Sequence, residues 1–168
     1  QDSYDENYPF DAKGKIVGIS QWGTFNPGNI GGAFRGAENL DITATDAPDL
    51  TGVDNLSGMF NGARSLTNPN FSNWNTASVT NMSGMFREAT LFNGDVTGWD
   101  TSRVTDMYEM FFDAESFNQD LNNWNTSSVV GNGMERMFRG ATLFNGNVSS
   151  WDTSGATNMM DMFNRTAA

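Results

Sequence analysis

The sequence contains no cysteine and no histidine. Thiolate and imidazole ligands are therefore excluded, and with them every Ser-His or Cys-His catalytic arrangement. Lysine is nearly absent. Only Lys13 and Lys15 occur, and Lys and Arg together number 9 against 20 Asp and Glu. A formal net charge of −11, with the arginines scattered singly, leaves no cationic stripe to neutralise phosphates. That argues against nucleic acid as a partner, and equally against an anionic membrane surface. No apolar run is long enough to cross a bilayer, so no membrane span is expected. No signal peptide is visible either. The sequence opens at Gln1 rather than Met, which points to a processed, secreted chain. Leu and Ile are scarce. In their place stand 13 Phe, 10 Met and 5 Trp, set among 18 Gly and many Asn, Ser and Thr. Large apolar residues spaced among small polar ones suggest a core of stacked, repeated units.

The repeat emerges on aligning Phe34, Phe60, Phe86, Phe111, Phe138 and Phe163, which are separated by 26, 26, 25, 27 and 25 residues. Twelve residues before four of them stand Trp22, Trp74, Trp99 and Trp151. Trp124 precedes Phe138 by fourteen, because a two-residue insertion lies at Gly131 to Gly133. In the Phe60 repeat, Pro48 occupies the Trp position. The clearest unit reads Trp-Asp-Thr-Ser-Arg-Val-Thr-Asp-Met-Tyr-Glu-Met-Phe from Trp99 to Phe111.

Val104, Met107, Met110, Phe111 and Ala114 fall at i, i+3, i+6, i+7 and i+10, the spacing of one helix face, and Val79 to Ala89 repeats it. Thr80 and Thr105 stand where N-caps belong. Such helices are too short to persist alone and need neighbours above and below. After the helix, Phe92, Phe117 and Phe144 are each followed by an Asn expected to satisfy backbone groups between coils. Val96, Leu121 and Val148 then lead to the next Trp as the expected short strand. The expected architecture is an α/β repeat solenoid of about six coils of ~25 residues, each with one short strand and one short helix. Its core ladder comprises Trp74, Trp99, Trp124 and Trp151, Phe86, Phe111, Phe138 and Phe163, and Met85, Met110, Met137 and Met162.

The pattern Trp-Asp-Thr-Ser-x-Val-Thr-x-Met-x-x-Met-Phe-x-x-Ala-x-x-Phe-Asn-x-Asp resembles the BspA-like surface-protein repeat, a domain of unknown function in bacterial surface lipoproteins. The resemblance is close over residues 50–163 and weaker over 22–49. It implies a leucine-rich-repeat-like solenoid, secreted or displayed at the cell surface, that works by adhesion or protein binding. It brings no catalytic residues with it. The chain is shorter than the resemblance suggests and shows no lipobox or cell-wall motif.

The segment 1–21 lies outside the repeat and is expected to cap the first coil, with a strand over residues 13–19. The region 22–168 forms the repeats and carries no distinct C-terminal cap. An uncovered final coil has three explanations: truncation, self-capping through polar residues such as Asp161 and Arg165, or cover by another copy. The last would join subunits head to tail into a filament.

Asp95, Asp120 and Asn147 form one polar column, and Asn75, Asp100, Asn125 and Asp152 another. Oxygen ligands in such columns suit a hard cation, so calcium at Asp95, Asp120, Asp100 and Asp152 stands beside the plainer reading of turn caps on an acidic face. No other cofactor is expected. The Thr column of Thr76, Thr101, Thr126 and Thr153 reads either as an exposed array of the ice-binding kind or as local hydroxyl-to-backbone bonding. Among the Asn-x-Ser/Thr sequons, Asn125 and Asn147 are the better surface candidates for glycosylation. Paired carboxylates for glycoside hydrolysis need a cleft with one raised pKa, which a narrow repeat stack does not offer. The functional expectation is a non-enzymatic, extracellular or cell-surface protein with protein partners, and the alternative is a filament subunit.

Overall fold

A backbone that turns left-handed twice in every repeat cannot continue as a helix. In the computed structural model, which describes residues 15–167, φ is positive at Gly32 and Gly36, at Gly58 and Gly62, and at Gly84 and Glu88. The same pair of positions follows at Glu109 and Asp113, at Arg136 and Gly140, and at Asp161 and Arg165. All but Gly32 mark the third residue of a hydrogen-bonded tight turn, the place where a type II turn requires positive φ. Met110 N–H donates to the Met107 carbonyl at 3.1 Å and Ala114 N–H to Phe111 at 3.1 Å, closing two such turns in succession.

The N–H groups between them point sideways. Those of Met107, Glu109, Phe111 and Asp113 donate to the carbonyls of Gly133, Glu135, Met137 and Arg139, at 2.8 to 3.1 Å. Alternate backbone donors thus serve the turn and the neighbouring layer. An α-helix would direct all of them along its own axis.

This overturns the expected α/β, leucine-rich-repeat-like solenoid. Among the described residues there is no helix, and the strands are β1 (Gly18–Ile19) and β2 (Asp41–Ile42), a parallel pair with Gly18 opposite Asp41 and Ile19 opposite Ile42. The stretches through Val96, Leu121 and Val148 are not strands; elsewhere among the described residues only isolated parallel bridges form, such as Asn70 with Asp95 and Asn81 with Asp106. Thr80 and Thr105 are not N-caps. Their hydroxyls donate to the carbonyls of Asp54 and Thr80, each one layer back, at 3.2 Å. Of the expected strand over residues 13–19, only β1 is present in the described part, and residues 1–14 lie outside it.

What replaces helix and strand is a stack of layers built from turns. Each layer carries one Phe of the aligned set, and the rings form a column: Phe34 to Phe60 at 5.8 Å, then 5.6 Å to Phe86, 5.6 Å to Phe111, 5.5 Å to Phe138 and 5.6 Å to Phe163. A second column of Phe71, Phe92, Phe117 and Phe144 runs beside it, with Phe111 and Phe117 only 3.9 Å apart. Trp74, Trp99, Trp124 and Trp151 form the third, at 6.0 to 6.4 Å. Buried stacked pairs contribute ~0.5–1.5 kcal/mol each beyond the area they remove from water. Met85, Met110, Met137 and Met162 fill the interior beside them.

The Trp column has one fault. The indole N–H groups of Trp99, Trp124 and Trp151 donate to the carbonyls of Phe71, Val96 and Leu121 in the layer before, at 2.8, 3.1 and 2.9 Å. The Trp74 indole finds no acceptor among the described residues. Its preceding layer has Pro48 in the Trp position, and Trp74 instead meets Trp22 edge-on at 5.4 Å and 86°.

Candidate functional site

Side chains that follow the column Phe by one residue point outward, because the Phe itself points in. They are Arg35, Asn61, Arg87, Phe112, Arg139 and Asn164, which places them in register along one flank. The two positive-φ columns lie on either side of this row. In the first three layers the column before it is Gly32, Gly58 and Gly84, which have no side chains to fill the surface. In the fourth layer that position is Glu109, preceded by Tyr108.

The result is an open trough of about 550 Å³. Gly32, Gly58 and Gly84 form its floor with Ser57 and Ser83, Arg35, Asn61, Arg87 and Glu88 form one side, and Tyr108 and Glu109 close one end. The volume falls within the ~300–1,000 Å³ of small-ligand sites. The floor backbone is fully engaged. The N–H groups of Gly32, Gly58 and Gly84 donate to the carbonyls of Ser57, Ser83 and Tyr108, and their own carbonyls accept from Arg35, Asn61 and Arg87.

Ion pairs run from the trough toward the later layers. Arg64 pairs with Glu88 at 3.1 Å, and Arg87 with Glu88 at 3.4 Å and also with Glu109. Arg136 Nη1 lies 3.6 Å from Glu109 and 3.4 Å from Glu135, and it donates to the Tyr108 hydroxyl at 3.1 Å. Glu135 also accepts from Asn158 Nδ2 at 2.7 Å. Burial, and then the adjacent Glu109 carboxylate, push the Tyr108 phenol above its usual pKa. The hydrogen bond to Tyr108 raises that of Arg136. Phe112 is half-buried among these groups. The Arg87 guanidinium carbon stands 4.6 Å from its ring centre and that of Arg139 stands 5.7 Å away. Arg139 also pairs with Asp161 at 3.1 Å.

The residues singled out in the sequence fall elsewhere. Asp95, Asp100, Asp120 and Asp152 each hold their own turn, accepting from the backbone N–H of Thr97, Ser102, Asn122 and Ser154 at 2.9 to 3.0 Å. Bonds from Ser102 depress the Asp100 pKa, and bonds from Ser154 that of Asp152. No group of three or more acidic side chains able to hold a metal ion occurs among the described residues. Asn125 and Asn147 are exposed, and their side-chain oxygens accept from the backbone N–H of Ser127 at 3.1 Å and of Ser149 at 2.9 Å. Thr76, Thr101 and Thr126 are buried and donate to the carbonyls of Asp100, Asn125 and Asp152 in the next layer, so they present no exposed array. Of the core ladder, Trp151 is half-buried and Phe163 is 45% exposed; the rest are buried.

The trough and the Phe112 cluster escape sequence reasoning. Their one signal is positional, the residue after each aligned Phe, and it varies in type from Arg to Asn to Phe. No helix among the described residues is long and apolar enough to cross a membrane.

A family model described as "Mycoplasma protein of unknown function, DUF285" matches residues 28–133 and again 132–168. Comparison with curated proteins and with solved structures gave no match.

Proposed function

The chain belongs to this family of Mycoplasma proteins of unknown function, and we propose that it is a non-enzymatic, secreted or surface-displayed protein that acts by binding other proteins. The observation carrying this reading is Phe112, held on the flank between the guanidinium groups of Arg87 and Arg139. Arg and aromatic side chains dominate the energetics of protein interfaces, and a half-exposed ring fixed by cations loses little freedom on binding. The interlayer hydrogen bonds hold all three side chains on a rigid base. The resemblance of the repeat to BspA-like surface proteins supports an adhesive role and an extracellular place.

Panning a displayed random-peptide library against the purified protein tests this. Enriched peptides are expected to bind the Phe112→Ala variant at least about tenfold more weakly, with its melting transition retained. No enrichment, or equal binding to both proteins, would sink the assignment.

A second reading is assembly by end-to-end stacking. Phe163 continues the Phe column, yet it is 45% exposed beside Met159 and Met160. A further layer would cover all three, whether supplied by another copy or by more of the same polypeptide. Sedimentation decides between them. A stable 18.4 kDa species at high concentration removes this reading, whereas polymers that Phe163→Asp dissolves support it.

A further inference from the structure

The trough over the first four layers adjoins the Phe112 contact, with which it shares Arg87, and has its own chemistry. Its charged lining balances, with Arg35 and Arg87 facing Glu88 and Glu109. Arg87 is moreover bound to both carboxylates, so no net charge is offered to an ionic ligand. The chain as a whole carries −11, which repels an acidic ligand at long range.

Peptides are disfavoured on two grounds. Strand addition needs unpaired backbone N–H and C=O groups, and those of Gly32, Gly58 and Gly84 are all engaged. Anchoring by apolar side chains needs apolar pockets, and the lining is hydroxyl, amide, guanidinium and carboxylate. What remains is a set of polar side chains: Ser57 and Ser83 on the floor, the Ser83 hydroxyl donating to Asn81 Oδ1 at 2.8 Å and free only to accept, with Asn61 and Arg35 on the side. The Tyr108 ring at one end adds a flat apolar face with a polar tip. Backbone hydrogen bonds of 2.7 to 2.9 Å join the layers that carry these groups, so the layers repeat at about 4.8 Å, the spacing of hydrogen-bonded strands. That repeat is comparable with the length of one pyranose unit.

We propose that this trough binds a neutral, linear oligosaccharide, laid across the layers with one sugar ring against Tyr108. Hydroxyl groups along such a chain both donate and accept, which matches a lining that does the same. The inference does not depend on the Phe112 reading, because its ligand and its discriminating residues differ.

An array of neutral and charged glycans probed with the full chain, followed by calorimetry with the best-bound glycan, provides the test. Neutral linear glycans are expected to bind, with affinity changing less than about twofold between ~0.05 and ~0.5 M salt. Asn61 has an exposed edge on the trough, and Asn61→Trp is expected to fill it and weaken binding at least about tenfold, with the melting transition retained. Tyr108→Ala should weaken the same glycan while leaving peptide binding at Phe112 in place. A blank array, binding confined to charged glycans, strong salt dependence, or equal binding to Asn61→Trp would each overturn the proposal. Loss of peptide binding in Phe112→Ala with glycan binding intact would leave it standing.

Discussion

Gly146 lies against Gln119 so closely that a Cβ at its position would overlap the Gln119 carbonyl oxygen and come within 3.0 Å of the Phe144 ring. The obstacle is backbone from the preceding layer, which the interlayer hydrogen bonds hold in place. Gly146→Ala is therefore expected to cost about 2 kcal/mol, the scale of overpacking a tight interior. Gly52, with φ of 73° and nothing within 4 Å, is the control. Gly52→Ala bears only the left-handed backbone cost of about 1 kcal/mol. Denaturant melts of the two variants check the difference, and equal losses would mean that the layers separate readily.

Asp113 sits at φ 51°, a conformation L-residues avoid, in the column that holds Gly36, Gly62 and Gly140 in other layers. Asp113→Gly is expected to stabilise the protein by about 1 kcal/mol. Glu109, at φ 52°, shares the strain but also pairs with Arg87 and Arg136. Glu109→Gly should therefore gain less than Asp113→Gly or lose stability. Chemical denaturation of the two variants measures the contrast.

Hydrogen bonds from the backbone N–H of Trp22, and then of Gly23, depress the Asp46 pKa below 3.8. Asp49 and Asp100 are depressed by hydrogen bonds from Thr51 and Ser102. A carboxylate whose folded pKa is lowered stabilises the fold above its unfolded value and loses that contribution as pH falls through the folded one. The melting temperature is thus expected to hold above pH ~4 and to fall progressively below it. Asp46→Asn should flatten this decline, since an amide oxygen still accepts but does not titrate. A thermal scan at successive pH values checks it.

Phe111 stacks on Phe86 at 5.6 Å, on Phe138 at 5.5 Å and on Phe117 at 3.9 Å, so its removal opens the core between three layers. Phe111→Ala is expected to cost about 3–5 kcal/mol. Hydrogen exchange should show protection lost across the layers of Phe86, Phe111 and Phe138 together. Loss confined to the layer of Phe111 would contradict coupling through the columns.

The columns of Phe, Trp and Met were legible because an apolar residue that recurs at a fixed interval must recur at a fixed place. The backbone that carries them was not. Val104, Met107, Met110 and Ala114 fit a helix face, but successive tight turns bring residues inward at the same three- and four-residue intervals. The distinguishing sign was Gly at spacing four, in Gly32 and Gly36 and again in Gly58 and Gly62. In the most regular repeat those positions are Glu109 and Asp113, which conceal the turn behind good helix neighbours. The Arg87, Phe112 and Arg139 cluster was hidden for another reason. Its members are 25 and 27 residues apart, and only the interlayer register brings their side chains together.

The alternation of backbone donors, one to the turn and the next to the following layer, also governs how such a chain can change length. A layer receives from one neighbour the kind of bonds it gives to the other, so any layer can stand between any two. Duplicating a block of about 25 codons would add a layer whose contacts already match. A one- or two-residue insertion has no such freedom. It would throw every later donor out of line unless it is set aside, as happens at Gly131 to Gly133. There Gly131 N–H still reaches Gly155, and Met107 N–H still reaches the Gly133 carbonyl. Growth by whole modules, with small indels confined to bulges at layer edges, is the evolutionary grammar this backbone permits.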